Sequence, residues 1–244
     1  MRLTYIGHST FVLETSSHRI VFDPFFEQNP TSRTKVKDLL CDYILVSHGH
    51  SDHCSDAVKL ALRTGATIVA NFEICEYFAK QGAKTHAMNP GGAHDFPFGR
   101  VKLVPAIHTS SFDGEPGAPY AGIACGVLVT ADGNTIYHAG DTALFTDMKL
   151  IGAAKLDLAL LPIGDNFTMG PDDALTALSF LKPKLAVPMH YNTWPVINQD
   201  AADFAQRAKR KGYRVNPLKP GESLELPAKK PRATAKKRAT KRRA

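Results

Sequence analysis

Residues 48–53 read His-Gly-His-Ser-Asp-His, three imidazoles and one carboxylate within six positions. They follow directly on residues 42–47, Asp-Tyr-Ile-Leu-Val-Ser, an apolar run that reads as a fully buried strand. On extended chain the side chains of His48 and His50 point the same way. Asp52 and His53 fall at the turn into the next helix and reach a second position a few ångströms off. Imidazole and carboxylate are the ligands of Zn, Mn or Fe. The spacing is not that of the helical His-Glu-x-x-His zinc-protease motif. Cys54, which follows at once, is assigned no ligand duty.

The chain around this motif alternates short strands with helices. Strands are expected at 3–6, 10–13, 19–22, 42–47 and 67–70, with a hairpin loop at 14–18. Helices are expected at 56–63, stopped by Gly65, and at 72–80, ended by Gly82. The second half repeats the style, with strands at 101–105, 123–130, 135–138, 157–161, 185–188 and 213–215. Its helices are expected at 171–181 and 199–211, the first opened by Pro171 and two acids. Strands dominate each half and helices are appended. The fold class is therefore α/β, an αββα sandwich of two mixed β-sheets with outer helices.

The 244 residues suffice for one large domain, expected over 1–226. The net charge of +7 belongs to the end of the chain: residues 228–244 carry nine Lys or Arg and no acid, which leaves the body slightly acidic. Residues 227–244 are expected to be a disordered Lys/Arg-rich tail. The N-terminus lacks the apolar core of a signal peptide, and no run of apolar residues is long enough to span a membrane. A cytoplasmic protein with no membrane partner is expected. The four scattered cysteines then read as free thiols.

The motif His-x-His-x-Asp-His after a strand resembles the metallo-β-lactamase superfamily. The segments 137–142 (Tyr-His-Ala-Gly-Asp-Thr), 164–171 (Gly-Asp-Asn-Phe-Thr-Met-Gly-Pro) and 188–193 (Pro-Met-His-Tyr-Asn-Thr) resemble one branch of it. That branch is the metal-dependent hydrolases related to ascorbate-6-phosphate lactonase, and the likeness runs from about Leu3 to Leu226. The resemblance implies two divalent metal ions per chain, Zn2+ first and Mn2+ as the alternative. By carry-over His48, His50 and His108 hold one, Asp52, His53 and His190 the other, and Asp141 bridges both. His108, Asp141 and His190 each follow an apolar strand, a usual place for sites in layered α/β folds. His8 is expected to look toward the metal cleft. Asp23 either orients a ligating imidazole or simply ends its strand, and His138 is a candidate support for Asp141. His18, His86 and His94 read as surface residues.

The implied chemistry is hydrolysis by a metal-bound hydroxide, with Asp52, Asp141 and His8 as candidate catalytic residues. An ester or lactone bond of a phosphorylated or otherwise anionic small molecule is expected. Asn166, Thr168 and Gly170 before a helix N-terminus are candidate substrate contacts. The basic tail motivates an alternative, a phosphodiesterase, nuclease or nucleic-acid-associated metal-binding protein. The stretch between Asp141 and the strand before His190 is too short for the extra domain that nucleases of this fold carry, and the tail has no aromatic residue for stacking on bases. A sequence-independent tether to nucleic acid or another polyanion is the expected role of the tail.

Overall fold

The computed structural model describes residues 1–227 and 229. In chain order the first half forms β1 (Arg2–Gly7), β2 (Thr10–Glu14), β3 (Arg19–Phe22), β4 (Tyr43–Leu45), α1 (Ser51–Cys54), α2 (Ala57–Thr64), β5 (Thr67–Asn71), α3 (Phe72–Ala79), β6 (Lys84–Met88), β7 (Ala93–Phe96) and β8 (Gly99–Pro105). The second forms β9 (Cys125–Ala131), β10 (Asn134–His138), α4 (Met148–Gly152), β11 (Leu158–Pro162), α5 (Pro171–Leu181), β12 (Ala186–Met189), α6 (Ala201–Arg210) and β13 (Ser223–Glu225).

Two mixed sheets result. One runs β13-β1-β2-β3-β4-β5-β6, the other β12-β11-β10-β9-β8-β7. In the first, β13 through β3 pair antiparallel and β3 through β6 pair parallel. In the second, β12, β11 and β10 are parallel and β10 through β7 antiparallel. Alternation along each strand decides the layers. Leu3, Tyr5, Phe11, Leu13, Ile20, Phe22 and Leu45 point into the core between the sheets. Their neighbours Ile6, Val12, Val21, Ile44 and Val46 point outward, against Leu60 and Ala61 of α2 and Ile74 and Phe78 of α3. Both faces are buried, which is why these strands read as continuous apolar runs. On the far side, α5 packs on β11 and is flanked by α4 and α6.

The helix ends follow local chemistry. Gly65 caps α2 in the left-handed region (φ 77°). Asn71 accepts from Ile74 N at the start of α3, and the Asp200 carboxylate accepts from Ala202 N and Asp203 N at the start of α6. The expected strand at 213–215 is reduced to one bridge, Val215 to Ala186, because Asn216 leads into Pro217, which has no N–H to continue a ladder. The expected strand at 123–130 starts at Cys125, leaving Ile123 exposed. Five labelled elements outside the expected set are short or peripheral: α1 is four residues long, β6 and β7 are edge strands carrying exposed polar residues, α4 is five residues long, and β13 is three. Edge strands bury one face at most, so the alternation that marks a strand is weak there.

Phe22 is 1% exposed and stacks on the His138 ring at 5.2 Å, joining the two sheets beneath the loops that follow them. Phe22→Ala is expected to lower unfolding stability by about 3–5 kcal/mol, read by chemical denaturation.

Candidate metal centre

The strands β1, β3 and β4 of one sheet run in a common direction, as do β8, β10 and β12 of the other. Their carboxyl ends supply every ligand candidate. His8 follows β1, Asp23 follows β3, and His48 to His53 follow β4. His108, Asp141 and His190 follow β8, β10 and β12. His50 is the N-cap of α1, a single turn that carries Asp52 and His53 inward. Two glycines make room for this convergence. A Cβ on Gly49 would lie 2.3 Å from Ala121 Cβ, and Gly140 (φ 60°) leaves only 2.8 Å for one against Ser47.

The side chains form three overlapping groups whose donor atoms lie within 4.8 Å of one another: His48, His50 and His108; His8, Asp52, His53 and His190; and His48, His53 and Asp141. His50 Nδ1 is 3.0 Å from His48 Nε2 and 3.3 Å from His108 Nε2. Asp141 Oδ2 is 2.9 Å from His190 Nε2 and 3.7 Å from His108 Nε2, so this carboxylate stands between the two histidine sets. His53 Nε2 lies 3.2 Å from Asp141 Oδ1, yet both atoms are buried without a hydrogen-bond partner. Buried polar atoms that converge without pairing are costly unless a further group satisfies them. The ring nitrogens facing away from the cluster are already committed: His53 Nδ1 to Asp23 at 2.8 Å and His48 Nδ1 to Ser47 Oγ at 3.0 Å. That leaves each Nε2 free for a cation. The residues present fit a divalent metal site.

Charge follows the same geometry. Burial opposes ionisation of Asp141, but His190 and His53 beside it hold its carboxyl well below the usual carboxylate range. Burial likewise opposes ionisation of Asp52, and His53, His190 and His8 more than offset it. Burial and the His53 imidazole push His48 well down. Burial, then the neighbouring His190, pushes His8 down to about 4, so it is neutral near pH 7. Its Nε2 is 3.0 Å from Asp52 Oδ2 and its Nδ1 2.7 Å from Thr193 Oγ1. A carboxylate only accepts, so the Nε2–H donates to Asp52 and the Thr193 hydroxyl donates to Nδ1.

Asp23 is the support of this centre. It ends β3 at φ 42°, and its carboxylate accepts from Ser47 N, Ser47 Oγ and His53 Nδ1 at 2.7–2.8 Å. His138 contacts no ligand atom. Its Nε2 donates to Ser9 O (2.9 Å) and its Nδ1 accepts from Gly140 N (3.1 Å), which fixes the turn into Asp141. The hydrogen bonds of Asn166 and Thr168 stay within their own loop. That loop is pinned beside the centre by Met169 N donating to Thr142 O. Gly170 is the N-cap of α5, and a Cβ there would lie 3.0 Å from the Asp165 carboxyl carbon. His94 is exposed and His86 and His18 are half-buried, at the surface as expected, but their rings are not isolated: those of His86 and His94 are 4.3 Å apart and both pack on Phe96, and His18 lies beside Tyr43 and Phe98. The cause is that β6 and β7, unseen in the sequence, meet at the open edge of the sandwich. All four cysteines are buried and free, and Cys54 Sγ donates to Gly49 O rather than joining the cluster.

Several supports carried no signal in the sequence. Ser110 Oγ accepts from Gly49 N, Asp113 accepts from Ser51 N at 2.7 Å, and Thr193 holds His8. Only proximity in the fold reveals them.

The fold and site together define a metal-dependent hydrolase of the metallo-β-lactamase kind, and the comparisons agree. A model of the β-lactamase superfamily domain matches residues 2–190. A UPF0173 metal-dependent hydrolase of Pelotomaculum thermopropionicum is 49% identical over 229 residues, covering 93% of this chain and all of that protein. Another, from Thermus thermophilus, is 52% identical over 226 residues, covering 93% and 99%. Among solved structures, Igni18, a metallo hydrolase of Ignicoccus hospitalis, superposes with a TM-score of 0.84 at 36% identity, covering 93% of this chain and 99% of that one. The chain belongs to the β-lactamase superfamily, among its UPF0173 metal-dependent hydrolases. Among the described residues no helix is long and apolar enough to cross a membrane.

Burial pushes the His138 imidazole below its ordinary 6.5, against the pull of Asp23. The unfolded chain therefore takes up the proton first, and stability is lost as pH falls below 6.5. Thermal unfolding of metal-loaded protein between pH 7 and about 5 is expected to show this loss, with a shallower slope in His138→Gln.

Proposed function

We propose that the chain is a binuclear hydrolase, one cation held by His48, His50 and His108, the other by Asp52, His53 and His190, with Asp141 between them. The observation that carries this is the position of Asp141, within 2.9 Å of His190, 3.2 Å of His53 and 3.7 Å of His108. Five imidazoles and two carboxylates form a donor set suited to zinc, with manganese the alternative. Two such cations, when bound, supply an acidified water as nucleophile and a Lewis acid for the developing oxyanion.

The chain's own residues do the positioning. Asp23 fixes the His53 ring so that Nε2 faces the cluster. His8, neutral and held by Thr193, fixes one oxygen of Asp52. We assign His8 to positioning, since both its nitrogens are engaged. No cysteine is placed for attack, and burial raises the Cys54 thiol well above its ordinary value. The water is the attacking group in this reading, and an ester or lactone bond of a small molecule is its substrate. The resemblance of residues 137–142, 164–171 and 188–193 to hydrolases related to ascorbate-6-phosphate lactonase is what favours that bond type. A phosphate seat at the start of α5 finds little support: Asp165 lies against Gly170, and Asp172 and Asp173 occupy the first turn.

The proposed polyanion tether, residues 227–244, lies outside the described residues apart from Pro227 and Lys229. Pro227 O accepts from Asn134 Nδ2, and Lys229 N donates to Asp132 O, at the turn before β10. That turn is at the end of the sandwich opposite the metal centre. Removal of residues 230–244 is therefore expected to leave turnover unchanged and to weaken salt-dependent retention on heparin.

Element analysis of purified, reconstituted protein is expected to give two divalent metals per chain, and fewer in Asp141→Asn. Asp23→Ala is expected to lower metal affinity by about 10–100-fold in chelator competition. Single-turnover hydrolysis in oxygen-18 water should place label in the product on the first turnover. Unlabelled oxygen there would mean a side-chain nucleophile and would refute the mechanism.

A further inference from the structure

Exposed apolar side chains are concentrated at one end of this molecule. Of ten large ones exposed among the described residues, six (Ile107, Tyr120, Ile123, Phe167, Trp194 and Val196) stand on three loops beside the metal centre. Residues 106–124 carry the ligand His108, and residues 190–200 carry His190. Residues 163–170 are tied to the Asp141 loop through Met169 N and Thr142 O, 3.0 Å apart. Apolar surface gathered beside one site rather than scattered marks a surface that a ligand covers.

Trp194 is the best placed of the six. Its ring centre is 5.0 Å from that of His8, which touches Asp52, and 6.1 Å from Phe25. His8 and Phe25 are buried at 0% and 3% exposure, so they back the indole, which remains 36% exposed. The loop is closed on itself: Asn192 N donates to Ile197 O, Ile197 N to Trp194 O and Gln199 N to Asn192 Oδ1. The indole is thus a fixed platform, placed where little ordering remains on binding.

Charge on these loops is equally one-sided. Residues 46–56, 106–124, 139–147, 163–170 and 190–200 contain no Lys or Arg, and the loop after β3, which supplies Phe25, carries its cations further along, at Arg33, Lys35 and Lys37. Besides Asp52 and Asp141 the cation-free segments contain the acids Asp56, Asp113, Glu115, Asp147, Asp165 and Asp200. A phosphorylated substrate would normally meet Arg or Lys beside the reacting bond. Here the loops offer hydrocarbon and negative charge instead.

We infer that the substrate carries an uncharged apolar group next to the bond that is cleaved, and that this group seats on Trp194. The inference rests on the hydrolase reading above and narrows its substrate class to neutral esters or lactones with an apolar acyl or alkyl part.

Two measurements on the metal-loaded protein test it separately from that reading. The first is kcat/KM on straight-chain esters and lactones of increasing acyl length, with a phosphorylated ester for comparison. The rate constant should rise up to about fourfold for each methylene buried. Trp194→Ala should flatten the series through KM, and Trp194→Phe should restore most of the slope. The second does not need turnover. Trp194 is the only tryptophan in the chain, so emission reports on this one ring. Titration with 2-octanone, an uncharged ketone that cannot be hydrolysed, should saturate and shift that emission to the blue. Hydrolysis without chain-length dependence, or preference for the phosphorylated ester, would overturn the inference and leave the hydrolase reading standing. If no ester or lactone is cleaved, that reading fails and the ketone titration alone decides. A saturable shift then supports the platform, and its absence overturns it.

Discussion

The Asp23 carboxylate is the contact on which the centre depends. It sits at the end of β3, 1% exposed, and accepts from Ser47 N, Ser47 Oγ and His53 Nδ1. One side chain thereby joins β3 to the segment after β4 and aims His53 at Asp141. Ser47 passes the support on to His48 through its hydroxyl, 3.0 Å from Nδ1. Loss of Asp23 would leave a buried imidazole N–H without a partner, a cost of about 1–3 kcal/mol, and would free the ring to turn.

Part of the chain's backbone strain lies at the same end of the sandwich. His8, Asp23 and His190 all have positive φ, at 58°, 42° and 54°. For residues other than glycine this conformation costs roughly 1–2 kcal/mol each. All three lie just past strand ends, where the chain must turn sharply to direct a side chain between the sheets. The surrounding sheets hold them there: His190 N donates to His8 O at 2.8 Å, and Asp23 N to Leu45 O at 3.0 Å. Strain that persists because rigid layers fix it is a property of sites that must be formed before the ligand arrives.

Much of this was legible in the sequence. The buried runs of β2, β3, β5 and β10 are continuous rather than alternating because both faces are covered, and such runs leave few other assignments. The cluster at 48–53 is legible because its candidate ligands are adjacent, whereas His108, Asp141 and His190 come from the family resemblance, with which their position after apolar strands agrees. The edges β6, β7 and β13 were not, since their register is set by the neighbouring strand more than by their own pattern. The same holds for the supports of the site. Nothing local marks Ser110, Asp113 or Thr193, whose partners lie 61, 62 and 185 residues away. The role of Asp23 has two open readings in the sequence, and its 2.8 Å contact with His53 Nδ1 is the one the orienting reading requires.

In the proposed reading the carboxyl ends of six strands form one preorganised centre for two cations, with Asp141 between them. Anomalous diffraction at the metal absorption edge, from crystals of the zinc-loaded protein, tests it most directly. Two peaks about 3.5–4 Å apart are predicted. One should lie among His48, His50 and His108, the other among Asp52, His53 and His190, with Asp141 touching both. A single peak, or two with Asp141 turned away from them, would contradict the account.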